Sequence, residues 1–255
     1  MTMPDWAREY FERGYGQRWG LLPPSDRVRL EAAGLATLLQ LSPGSRIIDI
    51  GCGHGKHALP LAERGLEVIG LDFSAPLLNR AQHLAANVRA RVHWIRGDMR
   101  DLPVRSACAD AAIVMDAFGF FDTEEENEAV LQEAARVVKH GGRLALKVVN
   151  GGLVLDDFRE TEREERDGVV ARDSNALADD PPRLIQRISI SGSRGQGEYE
   201  RRQRLYRVEE LSAALDQAGL SVVGVFAEPD GTPFARGASP AIWIVGQQLT
   251  NSPAS

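Results

Sequence analysis

Two cysteines, Cys52 and Cys108, are all that the 255 residues contain. So few exclude a disulfide framework, and no zinc-ligand spacing is present, so both are expected to be reduced and buried. Lysine is almost as scarce, occurring only as Lys56, Lys139 and Lys147 among many arginines. That bias fits genome composition or heat adaptation and implies no function. Nowhere do about eighteen apolar residues run together, and the opening MTMPDWAREY has no apolar signal-peptide core. A soluble, cytoplasmic protein is therefore expected. The net charge of −6 and a pI near 5.5 argue against an obligate nucleic-acid or anionic-membrane partner, though not against a local basic patch. With 43% hydrophobic residues, a single large α/β domain with additions is expected rather than two domains.

The chain is organised around Arg46 to Ser74, RIIDIGCGHGKHALPLAERGLEVIGLDFS. A short β-branched run ends in an acid, the profile of a buried strand, and passes directly into Gly51, Gly53 and Gly55. Glycine there permits positive φ and lets a ligand approach the main chain. Ala58, Leu61 and Ala62 recur at helical spacing until Gly65, and a second strand, Glu67 to Leu71, ends in Asp72. Strand, glycine loop, helix, strand and acid form a βαβ nucleotide-binding unit. The dinucleotide fingerprint G-x-G-x-x-G would need glycine at position 56, where Lys56 stands.

The pattern Asp49-Ile50-Gly51-Cys52-Gly53-His54-Gly55 resembles the first motif of the class I S-adenosylmethionine (SAM) dependent methyltransferases. The segments Gly97-Asp98-Met99-Arg100-Asp101-Leu102-Pro103 and Phe118-Gly119-Phe120-Phe121 are similar to those of its bacterial small-molecule branch. The resemblance implies SAM as cofactor and S-adenosylhomocysteine as product. It implies cofactor binding by Asp49, Gly51, Cys52, Gly53, Gly55, Asp72, Phe73, Asp98, Met99 and Asp116. Asp72 would hold the ribose hydroxyls, Asp98 the adenine amino group, and Met99 would pack on the ring. The fold implied is Rossmann-like and doubly wound, a mostly parallel seven-stranded sheet with an antiparallel C-terminal edge strand. Two positions depart from the family pattern: His140 replaces the usual proline before Gly141-Gly142, and Lys147 replaces an acid, which unsettles any inherited polar role there.

Along the chain, Ser25 caps a helix carrying Val28, Leu35, Leu38 and Leu39. Ser74 and Pro76 open a helix running to about Asn87. Val92 to Arg96, Ala109 to Met115 and Leu144 to Asn150 read as strands, and Thr123 with Glu126 forms a capping box for a helix to Lys139, stopped by Gly141-Gly142. The charge run within residues 156–182 reads as a solvated helix or loop face. Arg183 to Ser191 and Glu198 to Tyr206 read as an inserted hairpin, followed by a helix, Val208 to Gln217, and strands Ser221 to Glu228 and Ala241 to Gln247. The tail after Gln248 reads as frayed. One domain is expected: an N-terminal helical lid (1–24), a SAM-binding core (25–150), an insertion with a hairpin (151–207) and a C-terminal helix with strands (208–248).

Function follows from these parts. The expectation is in-line transfer of a methyl group to nitrogen or oxygen of a small molecule, without a metal. Asp116, at the carboxyl end of a parallel strand beside the switch point, is the candidate catalytic residue, needed as a base only for an amine acceptor. No N-P-P-Y-like turn follows that strand, and Cys108 lies at its far end, which disfavours base-amine and cytosine C5 methylation. Arg201-Arg202-Gln203-Arg204 reads as a solvated hairpin edge rather than an RNA contact. His54 and His57 have packing or capping as their default role. Tyr10, Tyr15, Trp19, Phe118 and Phe120 are lid or substrate candidates, with Gly14, Gly16 and Gly20 as hinges, against ordinary packing on the sheet edge. A SAM-binding module without catalysis, an aminopropyl transferase, and a methyltransferase acting on RNA or protein remain open beside this reading.

Overall fold

The computed structural model describes residues 3–86 and 91–249. Strands β1 (Arg46–Ile50), β2 (Glu67–Asp72), β3 (Val92–Arg96), β4 (Ala109–Met115) and β5 (Val138–Val149) run parallel, and with β10 (Leu220–Phe226) and β11 (Ala241–Gln248) they form one sheet in the order β10-β11-β5-β4-β1-β2-β3. The antiparallel strand, β11, lies between β5 and β10. Period-two alternation sends Ile48, Ile50, Val114, Leu144 and Leu146 to one face, and Ile47, Val68, Ile113 and Val245 to the other. Helices α6 (Glu124–Val137) and α8 (Val208–Gln217) cover the first face through Val130, Leu131, Leu211 and Leu215. Helices α3 (Asp26–Leu38) and α4 (Ala58–Glu63) cover the second through Leu35 and Leu61. This is the doubly wound fold expected.

Local chemistry sets the boundaries. Ser25 and Ser74 cap α3 and α5 (Ala75–Ala85), and both halves of the Thr123–Glu126 capping box are formed. Helix α5 ends at Ala85, so the expected end near Asn87 lies outside the described residues, as do residues 250–255 of the tail. Helix α6 stops before Gly141-Gly142, because Val138 is buried and already paired with Ala109 of β4. Cys108 is half-buried rather than buried, and no disulfide forms. No helix among the described residues is long and apolar enough to cross a membrane.

The insertion is larger than one hairpin. After a short α7 (Gly151–Asp156), capped by Asn150, the chain forms β6 (Thr161–Arg166), β7 (Val169–Ala178), β8 (Arg183–Gly192) and β9 (Gly195–Arg204), an antiparallel sheet in that order. The charge run is therefore solvated, but as strand β6, whose residues are nearly all exposed. Pairing with β7 supplies the backbone partners that the side chains do not advertise. β9 is no freely solvated edge: Gln203 and Arg204 are buried, and Arg204 pairs with Glu124 and Glu210.

The N-terminal segment is helical, comprising α1 (Asp5–Glu9), a π-helical turn (Tyr10–Gly14) and α2 (Tyr15–Trp19). It lies on the inserted sheet. Tyr10 packs with Val169, Ile188, Ile190 and Tyr199, and Arg18 pairs with Asp173 at 2.9 Å. Arg194 donates to the carbonyls of Gln17 and Arg18 at 3.0 and 2.9 Å, holding the end of the helix. Gly14 is no hinge: it has helical torsions, and a Cβ would lie 2.8 Å from the Tyr199 ring. Only Gly20, at φ 69°, ends the helix in a conformation that favours glycine.

Candidate active site

The register of β1 places Asp49 opposite Gly70 of β2 and Ile113 of β4, at the carboxyl edge where the strand order reverses. The chain then turns at Gly51, φ 74°, where a Cβ would stand 2.6 Å from the Ala117 Cβ. The N–H groups of Gly51 and Cys52 donate to the Leu71 carbonyl, tying the loop to β2. Asp72 closes the turn: Oδ2 accepts from Gly53 N and Oδ1 from Ser74 N, each at 2.8 Å.

These groups border a cavity of about 100 Å³. Burial, reinforced by Asp72, pushes the Asp49 carboxyl up to about 7, and its Oδ2 has no hydrogen-bond partner. Burial likewise raises Asp72 to about 6 against three backbone hydrogen bonds. Such acids gain from a cation placed among them. Burial, with Lys56 adding to it, lowers His54 to about 4, and burial holds His57 down while its Nε2 donates to Glu31 at 3.0 Å. Both histidines border the cavity as neutral groups. The Cys52 thiol is raised by burial and is no nucleophile at neutral pH.

Asp116 ends β4 at φ 56°, an uncommon conformation for a non-glycine residue, and Lys147 donates to its Oδ2 at 3.0 Å. The lysine that departs from the family pattern is thus the partner of the candidate catalytic acid. Above them Phe11 meets Phe120 at 5.1 Å and Phe73 at 6.2 Å, edge to face. A second cavity of about 390 Å³ shares Phe11, Tyr15, Lys56, Asp116 and Phe120 with the first and extends to Tyr10, Trp19 and Arg201.

Of the proposed cofactor residues, Asp49, Gly51, Cys52, Gly53, Asp72, Phe73, Met99 and Asp116 border the first cavity. Gly55 and Asp98 do not: Gly55 packs under Trp94, and the Asp98 carboxylate is gripped by Arg100. Among the substrate candidates, Tyr15 and Phe120 border both cavities, while Tyr10 and Trp19 border the second. Phe118 belongs to the core instead, 2% exposed and stacked on Tyr206 at 5.2 Å, because the chain has left β4 and turns at Asp116 and Gly119, both at positive φ. Sequence reasoning left Phe11, Lys56 and Arg201 outside the site. The aromatic density of the N-terminus pointed to Phe11, whereas nothing local marked Arg201.

Fold and loop together make a doubly wound α/β protein with a glycine turn and buried acids at its switch point. A family profile described as a methyltransferase domain matches residues 47–142. The 27-O-demethylrifamycin SV methyltransferase of Amycolatopsis mediterranei is 34% identical over 54% of this chain, and the match spans about half of that relative's length, 52%. The CcbJ methyltransferase of Streptomyces caelestis superposes with a TM-score of 0.81 at 19% identity, covering 94% of this chain and 98% of that one. SAM-bound CalS10, an amino pentose methyltransferase from Micromonospora echinaspora, gives a TM-score of 0.64 at 20% identity, covering 92% of this chain and 95% of that one. Residues 47–142 thus match a methyltransferase domain, and the fold of the chain as a whole is that of these solved methyltransferases.

Proposed function

We propose that the protein binds SAM at the glycine loop and transfers its methyl group, in line, to nitrogen or oxygen of a small-molecule acceptor. The observation that carries this is the buried acid cluster around the loop, with Asp49 Oδ2 left unpaired at the cavity wall. A nucleoside bearing an ammonium and a sulfonium suits that donor set, and Lys56 on the same wall suits its carboxylate. SAM, when bound, supplies a methyl group activated for attack. The chain's own residues bind, orient and exclude water. Asp72 would accept from the ribose hydroxyls on lone pairs that Gly53 and Ser74 leave unused. Asp116 keeps Oδ1 available for a proton from an amine acceptor while Lys147 holds Oδ2. An ionised oxygen acceptor needs no such base.

The first cavity is smaller than the roughly 300–1,000 Å³ of ordinary ligand sites, because Phe11 closes over it. This supports the N-terminal helix as a lid that shifts to admit ligands and then shuts out water. Incubating the protein with methyl-labelled SAM and a bacterial small-metabolite extract should label a small molecule. Asp72→Ala should weaken SAM binding by about 1–3 kcal/mol, measured by calorimetry. SAM binding without any labelled product would leave a binding module, and tight NAD binding in its place would sink the loop assignment.

SAM affinity should also rise with pH. With its pKa raised to about 7, Asp49 is largely protonated in the free protein at pH 6, and cation binding must displace that proton. Affinity is expected to strengthen several-fold between about pH 6 and pH 8, with proton release at the lower pH. The same raised values for Asp49 and Asp72 mean that the unliganded fold binds more protons than the unfolded chain between pH 3.8 and about 7, so its stability falls as pH rises there. A flat affinity profile would show that Asp49 does not face the cofactor.

A further inference from the structure

We infer that the second cavity binds an anionic group on the acceptor, a carboxylate or a phosphate, through Arg201 and Tyr10. This rests on the methyl-transfer reading, since the cavity shares Lys56 and Asp116 with the cofactor side.

The arginine cluster on β9 is divided by the strand. Arg202 turns away to Glu200 and Asp122, and Arg204 is consumed by Glu124 and Glu210. Tyr199, Arg201 and Gln203 occupy the other side, facing the N-terminal helix and the cavity. There Arg201 lies over the Phe120 ring at 5.4 Å, and one terminal nitrogen donates to Gln203 Oε1.

Of the other charges bordering this cavity, Asp116 and Arg166 have ion-pair partners among the described residues and Lys56 has none. Lys147 neutralises Asp116 at 3.0 Å, Arg166 meets Asp167 at 3.5 Å, and Lys56 also borders the cofactor cavity. Arg201 has no carboxylate partner among the described residues. Its Nε is buried without a hydrogen-bond partner, and so is the Tyr10 hydroxyl, which belongs to the same cavity wall. An unmet buried donor is costly, and a guanidinium can only donate. The group that satisfies it must accept hydrogen bonds, and a full negative charge also balances the cation. A neutral amide or hydroxyl would do the first without the second. Carboxylate and phosphate do both, and the planar guanidinium fork matches their oxygens. The aromatic surfaces of Tyr15, Trp19 and Phe120 then take the apolar remainder of the acceptor.

The test uses the full chain saturated with S-adenosylhomocysteine and follows probe binding by tryptophan fluorescence and calorimetry. Benzoate and phenyl phosphate are the anionic probes, and benzamide is the neutral control. At least one anion should bind about tenfold or more tightly than benzamide, and the stronger of the two identifies the anion class. Arg201→Gln should bring that preference to within about twofold, Arg201→Lys should retain part of it, and Tyr10→Phe should weaken anion binding by roughly threefold with the ring still in place. S-adenosylhomocysteine affinity should be unchanged in all three variants. Anions that bind no better than benzamide at millimolar concentration, or a preference that survives Arg201→Gln, would overturn the inference. Failure of S-adenosylhomocysteine to bind the unaltered protein would instead remove the methyl-transfer reading beneath it.

Discussion

Gly51→Val should lose SAM binding by more than about a hundredfold, the largest functional effect expected of any single change in the loop. Two costs combine. The residue sits at φ 74°, which a β-branched side chain strongly resists, and even the first carbon would stand 2.6 Å from the Ala117 Cβ and 3.2 Å from the Met99 Cε. Relief requires the loop to withdraw from β2, breaking the bonds from Gly51 and Cys52 to the Leu71 carbonyl and displacing Gly53 from Asp72. Gly53→Ala is the control: its φ of 55° is strained as well, but a Cβ there meets only Leu77 at 3.9 Å, so the loss should be much smaller. Calorimetry with SAM, beside a thermal melt to separate binding from folding, decides the order. Equal affinities for both variants would mean that the loop does not form the cofactor site.

Arg18→Ala should destabilise the insertion and the N-terminal helix together by about 3–5 kcal/mol. Arg18 and Asp173 are both nearly inaccessible, with side chains 10% and 2% exposed. Without the guanidinium, Asp173 keeps one bond, a 3.4 Å contact from Gln186, and a buried charge remains almost alone. The penalty is for stranding that charge, so adding Asp173→Asn to Arg18→Ala should recover much of it. The same helix carries Phe11 and Tyr15 over the cavity, so turnover should fall while the seven-stranded sheet stays folded. Hydrogen exchange would show faster opening of residues 5–19 and of β7 with β1 and β4 protected. An unchanged melting profile would show that the pair is not what docks the helix.

The loop and the strands beside it were legible because their information is local. β4 follows from a nearly unbroken apolar run and α8 from apolar periodicity, Gly51 from a torsion few residues tolerate, and Asp72 from its place at the end of the second strand. Phe118 misled because Asp116 to Phe121 reads as one aromatic group, while the turn at Gly119, φ 86°, sends its rings into different environments: Phe118 goes to Tyr206 and Phe120 to Phe11. β6 misled for the opposite reason, since TEREER has no apolar face and its strand character comes from pairing with β7.

By itself the sequence determined the doubly wound sheet, the nucleotide loop and the acids at its rim, because each depends on residues a few positions apart whose periodicity, φ requirement or charge is written in their types. Tertiary structure alone decided what lines the second cavity and its junction with the first. Asp116 with Lys147, Phe11 with Phe120 and Arg201 over that ring join segments separated by long stretches of chain. Their meeting depends on strand register and on how the insertion carries the N-terminal helix. No local pattern encodes that distance, because it is set by the packing of whole elements against one another.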